Sequence, residues 1–233
     1  MTHVGILAPM KPELAPLLKR AQLTREQRGD FIVQRGRIGK VDVTATITGI
    51  GMTPAQKVTE RMIDEFSVDH VLVMGIAGGV DPKLVIGETF WPEVVVDARD
   101  EREYRQKPLD GSAPRGLIIS SDALEMHAAL DGLRERGVTA VDMETGAVAA
   151  VCEARGVAWS AIRSISDRVG DKAISDEIMS LAGPDGSPNP KVAAKYLLTH
   201  PLEIPSLLRL ARQSSTATRN AAVAAIAACQ RAA

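Results

Sequence analysis

The feature that most constrains this chain is an alternation. Short apolar runs, most of them closed by glycine, proline or an acid, take turns with segments whose apolar residues recur at helical spacing. Val4–Ala8 runs into Pro9 and reads as a buried strand. Pro12 suits a first helical position, with Leu14, Leu17 and Leu18 on one face. Phe31–Arg37 and Lys40–Thr48 read as paired strands turning at Gly39. Thr53 and Pro54 suggest the N-cap and first turn of a helix with an Ala55, Val58, Met62, Ile63, Phe66 face. His70–Met74 is a strand leading into GIAGG, Gly75–Gly79, a tight turn. Glu88–Asp97 is strand-like but broken at Pro92, and the charged stretch Asp97–Arg115 reads as a surface loop. A strand at Gly116–Ser120 precedes a helix capped by Asp122 with Glu125 three residues on. Val138–Val141 is a strand, Met143–Arg155 a helix, and Trp159–Ser166 a strand ending at Asp167. Gly183–Pro190 is a flexible loop and Ser206–Arg231 largely helical. Such repetition predicts an α/β fold with helices on both faces of a mixed sheet.

Length and charge narrow the function classes. At 233 residues the chain suits one domain and needs no disulfides to build a core. Aromatics are only 3%, so that core must be aliphatic and alanine-rich. The net charge of −1 excludes the global basic field of a typical nucleic-acid binder. Two cysteines exclude a disulfide framework or a four-cysteine zinc site, and the four histidines have no metal-ligand spacing. The N-terminus lacks a signal-peptide pattern, and no apolar run reaches membrane-spanning length. The expectation is a cytoplasmic protein without membrane span, metal or cofactor.

Three acidic sites fall where strands give way to helices or loops, the place where open α/β sheets bind ligands. Glu13 is either a first-turn carboxylate complementing the helix dipole or a general base at the end of the first strand. In VDMETGA, Asp142 and Glu144 are either a cap and a first-turn acid, or carboxylates gripping sugar hydroxyls beside the soft surface of Met143. Asp167, after Ser166, either initiates a turn or is an acid whose proton burial retains near neutral pH. The glycine turns at Gly49–Gly51 and Gly75–Gly79, including Gly78, could form anion-binding nests, but neither fits a dinucleotide or P-loop pattern.

Six segments together resemble the purine nucleoside phosphorylase and nucleosidase superfamily, in its methylthioadenosine/adenosylhomocysteine nucleosidase branch. They are VGILAPMKPEL at 4–14, TGIGMTPA at 48–55, MGIAGGVDPKLVIGE at 74–88, IISSDAL at 118–124, AVDMETGAVAAVC at 140–152 and AIRSISD at 161–167. They occur in the family's order within residues 4–170; residues 171–233 diverge, and HPLEIPSLLRLA at 200–211 is similar to hopanoid-associated nucleosidases. The resemblance implies a three-layer sandwich around a twisted mixed sheet, a homodimer, and cleavage of the N-glycosidic bond of an adenine nucleoside. By position it implies Glu13 as the base activating water, Met143 and Glu144 as ribose contacts, and Asp167 as the acid protonating the purine N7 beside Ser166. Three positions depart from the family pattern: Ile76 replaces a small hydroxyl residue, Leu124 replaces a stacking Phe, and Asp142 replaces a longer Glu. A phosphorylase on the same fold is the competing enzyme, favoured by GMTPA at 51–55 and opposed by Met74, which precedes Gly75 where a phosphate-clamping arginine would stand. A binding protein that kept the fold is the competing non-enzyme.

Overall fold

A computed structural model describes residues 2–122, 126–168, 183, 196 and 199–232, with backbone alone at 126–129 and 201. In chain order these form β1 (His3–Ala8), α1 (Lys11–Leu18), β2 (Thr24–Arg28), β3 (Phe31–Ile38), β4 (Val41–Ile47) and α2 (Met52–Phe66). Then come β5 (His70–Gly79), β6 (Thr89–Phe90), β7 (Val94–Asp97), β8 (Arg102–Arg105), β9 (Leu117–Ser120) and α3 (Met126–Glu135). The chain continues with β10 (Val138–Asp142), α4 (Thr145–Arg155) and β11 (Ala158–Arg168), and after a short 3-10 turn at Pro201–Glu203 it ends in α5 (Ile204–Arg231). Among the described residues one mixed sheet holds 11 strands in the order β2-β3-β4-β1-β5-β10-β9-β7-β8, with β11 against β5 and β6. This is the α/β layering that the alternation predicted.

Period-2 alternation divides the core between the two faces of the sheet. Val71 and Val73 point to the side where α2 and α4 lie, with Met52, Met62, Val148 and Cys152. Leu72 and Met74 point to the other side, with Leu14 and Leu17 of α1 and Ala222, Ala225 and Ala228 of α5. Small alanines on α5 let its axis approach the strands closely, which is how a core with few aromatics fills its space. Gly39 shows the same closeness, since a Cβ there would lie 3.3 Å from the Gln230 Cα. The divergent C-terminal part therefore contributes α5 to the core that α1, β5 and β11 share.

Four expectations are corrected. The stretch after Asp97 is not all loop: β8 pairs antiparallel with β7 and buries Tyr104. Strand β2, TREQR, was not foreseen. Both lie at the ends of the sheet, where polar and charged side chains protect an open edge and erase the apolar signal. Helix α2 begins at Met52 with Gly51 as its cap (φ 106°), not at Thr53, because Asp122 Oδ1 accepts the Met52 N–H at 2.7 Å. Asp122 thus caps α2; its expected partner Glu125 lies outside the described residues. Finally, Gly75–Gly79 is not a turn. It is the second half of β5, held extended by β11 all the way to Gly79. Of the loop expected at Gly183–Pro190, all but Gly183 lies outside the described residues.

Candidate active site

The site grows from a gap in the sheet. One edge of β5 pairs with β1 from His70 to Val73, and with β10 only at Gly78 and Gly79. Between them the β1-side edge has no strand, so its backbone groups need other partners. Two side chains supply them at Ile76. Glu13 Oε1 accepts the Ile76 N–H at 2.8 Å, and Arg163 Nη1 donates to the Ile76 carbonyl at 3.3 Å.

Glu13 reaches this point because β1 turns at Pro9 directly into α1. Its other oxygen, Oε2, accepts the Met10 N–H at 2.8 Å, closing a capping interaction at the helix start. Helix capping and site placement are therefore one geometry, and the capping bond aims the carboxylate at β5. Glu13 is 1% exposed. Burial pushes its carboxyl up to about 7, against the opposing pull of Arg163 and the two N–H donors, with Asp142 adding to the rise.

Arg163 sits in the middle of β11, fully buried. Ala161 faces the α2–α4 layer, so Arg163, two residues on, faces it too. Its Nη2 lies 2.5 Å from Asp142 Oδ2 and 3.5 Å from Glu144 Oε2, and donates to Thr145 Oγ1 at 2.8 Å, while Nε donates to the same hydroxyl at 3.2 Å. Asp142 is in turn held by the Ser120 hydroxyl at 2.5 Å and by the Thr145 hydroxyl. Its two oxygens are thus occupied by Ser120, Thr145 and Arg163. Glu144 is freer: Oε1 accepts the Gly51 N–H at 3.0 Å, and among the described residues only the long contact to Arg163 engages Oε2. Burial raises the Glu144 carboxyl, Arg163 opposes the rise, and Asp142 and Glu13 add to it.

Gly75 makes the cluster possible. A Cβ at this position would lie 2.5 Å from both Glu13 Oε1 and Arg163 Nη1. The glycines therefore serve close approach, and the expected nest at Gly75–Gly79 is overturned by the extended strand. The Gly49–Gly51 turn does have positive φ at both glycines, but the Gly51 N–H is spent on Glu144 and the Met52 N–H on Asp122.

Asp167 lies further along the same strand pair. The register of β11 on β5 shifts between Ile165 and Asp167, so that Asp167 stands opposite Gly78. A bulge of this kind re-aims the side chain after it. Ser166, inside the bulge, is buried and donates its hydroxyl to Asp167 Oδ1, with a longer contact of 3.4 Å to the Ala77 carbonyl. Asp167 and Met143 are half-buried, as is Ile76. Leu124 lies outside the described residues. Among the described residues no three His, Cys, Asp or Glu side chains are grouped to hold a metal, and no helix is long and apolar enough to cross a membrane.

Of the sequence candidates, the structure brings Glu13, Asp142 and Glu144 around one guanidinium and places Ser166, Asp167 and Gly78 beyond it on the same strands. Sequence reasoning passed over Thr145 and Ser120, took Gly75 for part of a turn and gave Arg163 no place in the site. Arg163 did leave a signal, being the one charge within the apolar run AWSAIRSIS.

Comparison with known proteins follows the same lines. The sequence pattern of the phosphorylase superfamily matches residues 3–123 and 113–183. The 5′-methylthioadenosine/S-adenosylhomocysteine nucleosidase of Thermotoga maritima is 28% identical over 185 residues, covering 71% of this chain and 84% of that protein. The aminodeoxyfutalosine nucleosidase of Helicobacter pylori is 28% identical over 205 residues, covering 74% and 89%. Among solved structures, the Campylobacter jejuni 5′-methylthioadenosine/S-adenosylhomocysteine nucleosidase superposes with a TM-score of 0.74 at 18% identity, over 99% of this chain and 100% of that one. The Colwellia psychrerythraea nucleosidase in complex with adenine gives a TM-score of 0.72 at 22% identity, over 99% and 95%. With the superfamily pattern running from residue 3 to residue 183 and the predicted fold in place, the chain belongs to the phosphorylase superfamily, as a member resembling its methylthioadenosine/adenosylhomocysteine nucleosidases.

Proposed function

We propose that this protein hydrolyses the N-glycosidic bond of a 5′-substituted adenine nucleoside and releases adenine. The observation that carries the reading is the buried carboxylate Glu13, raised to about 7 and fixed beside Arg163 at the carboxyl end of β1. A carboxylate poised near neutrality is suited to take a proton from water. In this reading Glu13 is the base that activates the attacking water, and Glu144, with Oε2 only loosely held, accepts the ribose hydroxyls. Met143 supplies an apolar contact to the sugar. As the bond breaks, positive charge grows on the ribose, and the surrounding carboxylates stabilise it. Asp167, steadied by Ser166, donates a proton to N7 so that the base leaves neutral. Arg163 keeps three buried carboxylates compatible within one site, and Asp142 serves it from behind.

Hydrolysis is preferred to phosphorolysis on a specific ground. The N–H groups of Gly51 and Met52, in the turn that resembles a phosphorylase, are occupied by Glu144 and Asp122. Arg163 is enclosed by Asp142, Glu144 and Thr145. A phosphate dianion needs several unspent donors or cations. The relatives named above act on different 5′-substituted nucleosides, which leaves the 5′ group as the open variable. One domain spanning 1–233, acting as a homodimer in the cytoplasm, goes with this reading through the family resemblance. The solution mass checks the dimer.

Adenine release measured with and without phosphate tests the function. The expected result is release at an unchanged rate and no ribose-1-phosphate; a rate that rises with phosphate would assign a phosphorylase. Asp167→Asn should lower release by about 10²- to 10⁴-fold while the fold survives.

A further inference from the structure

Thr145 has no role in the reading above, yet it occupies the centre of the buried cluster. Its hydroxyl is the only neutral group that touches both Arg163 and Asp142 among the described residues. It donates its proton to Asp142 Oδ2 and accepts from both Nε and Nη2 of Arg163, at 3.2 and 2.8 Å. A hydroxyl has one proton to give and two lone pairs to offer, so this arrangement uses it fully. The backbone fixes it as well: Thr145 opens α4, and a β-branched side chain at a buried helix start has few rotamers.

We propose that Thr145 is a positioning residue, whose hydroxyl, oriented by Asp142, locks the Arg163 guanidinium in the plane that places one edge on Ile76 beside Glu13 and the other on Glu144.

The geometry behind this is a matter of bond count. Asp142 meets the guanidinium through a single nitrogen, Nη2, at 2.5 Å. Nη1 adds the 3.3 Å contact to the Ile76 carbonyl. Thr145 holds the remaining nitrogen, Nε, together with Nη2, and so fixes the other edge of the plane as a bidentate partner would. Ser120 holds the far side of Asp142 at 2.5 Å and accepts the Gly146 N–H at 2.8 Å, so the chain of contacts runs back into the start of α4. Gly146 is itself required there, since a Cβ would come within 3.1 Å of Ser120 Cβ.

The consequence falls on Glu13. The charged groups facing it are Arg163 from β11 and Asp142 from β10, with Glu144 beside them before α4. Arg163 is the one that favours its ionised form. A guanidinium free to turn toward Asp142 would weaken that support, and Glu13 would hold its proton to higher pH.

The inference rests on the proposed function for its kinetic readout but not for its structural one. In the intact protein, the Glu13 carboxyl would be followed by ¹³C NMR titration with labelled glutamate, assigned with Glu13→Gln. Thr145→Val should move the Glu13 titration upward by about half a unit to one unit. It should shift the acid limb of kcat/KM for adenine release in the same direction and lower its plateau by about 10- to 100-fold. Thr145→Ser, which keeps the hydroxyl, should restore both. Thr145→Ala serves as the second variant if the valine form does not fold. A Glu13 titration unchanged in the valine or alanine variant would overturn the proposal, as would a serine variant that fails to restore it. A wild-type protein that releases no adenine, yet shows the shift, would remove the proposed activity and leave the positioning role standing.

Discussion

Strands β5 and β11 run side by side, and the two ends of the pair solve the same problem in opposite ways. At the N-terminal end, His70 and Ser160 share one hydrogen bond of 2.7 Å, both buried, and burial drives the imidazole down to about 4, so it is neutral at physiological pH. Toward the C-terminal end, from the middle of β11 onward, Arg163 lies among Glu13, Asp142 and Glu144, all at most 6% exposed. The first end gives up its charge; the second retains charge and builds a network to tolerate it. A buried neutral pair needs only that its hydrogen bonds be made. A buried ionic cluster costs desolvation that its own attraction repays only in part, which is a reason to expect function where it persists. The comparison teaches that the chemistry was placed at the gap in the sheet, where the β5 backbone at Ile76 takes a carboxylate and a guanidinium as partners in place of a strand.

The largest test removes the charge that binds the second end together. Arg163→Met leaves three buried carboxylates without a counter-ion. It should lower stability by about 3–5 kcal/mol at neutral pH, partly recovered in acid as the carboxyls protonate. Adenine release should fall by about 10²- to 10³-fold. Denaturant melts at two pH values and a rate assay check both. A variant as stable as wild type at pH 8 would mean that the cluster is not ionic in the folded protein.

The two ends should also respond to pH with opposite sign. His70 is depressed from 6.5 to about 4, so its contribution to stability is complete above pH 6.5 and is lost as pH falls through about 4. Glu13 is raised from 4.5 to about 7, so its contribution is complete below pH 4.5 and is lost as pH rises through about 7. Each is worth about 3 kcal/mol at its limit. Unfolding midpoints of wild type, His70→Gln and Glu13→Gln measured from pH 4 to 8 separate them. The wild-type minus variant difference should grow with pH for His70 and shrink with pH for Glu13, and two differences of the same sign would break the comparison.

A smaller effect is expected from Gly75→Ala. The added methyl would push apart Glu13 and Arg163, at about 1–3 kcal/mol in stability. Displacing either group by an ångström should still cost turnover as much as about 10²-fold. Normal kcat would show that their contact at Gly75 is not needed.

The smallest concerns Ser164, whose buried Oγ has no hydrogen-bond partner among the described residues. It is the neighbour of Arg163 on the opposite face of β11, and carries none of the site's bonds. Ser164→Ala should be neutral or stabilising by about 1 kcal/mol, because it removes an unpaid desolvation cost. Activity should not change. Reduced adenine release would extend the site to the α5 side of the sheet.

How much of this was legible in the sequence follows from the range of the interactions. Buried strands such as β1 and β11 could be read because burial on both faces makes them continuous apolar runs, and the helix faces of α1 and α2 because one-sided burial imposes a period. Edge strands β2 and β8 could not, since they are held by backbone pairing and most of their side chains, Tyr104 apart, face water. Glu13, Glu144 and Asp167 were singled out because acids at strand ends stand out and match a known order of motifs. Thr145 and Ser120 were missed because their importance lies in contacts across 18 and 22 residues of chain, which no local pattern encodes. Gly75 was seen but misread: a glycine that makes room for two side chains looks, in sequence, like one that makes a turn.

The gap in the sheet has an evolutionary corollary. At residue 76 it is the peptide group, donating to Glu13 and accepting from Arg163, that takes part in the site. Every L-amino acid except proline offers that same peptide group. Position 76 can therefore change its side chain without surrendering the backbone anchor of Glu13, which is how isoleucine can stand where the family pattern has a small hydroxyl residue. Selection is left free to vary that side chain while the bonds beneath it stay as they are.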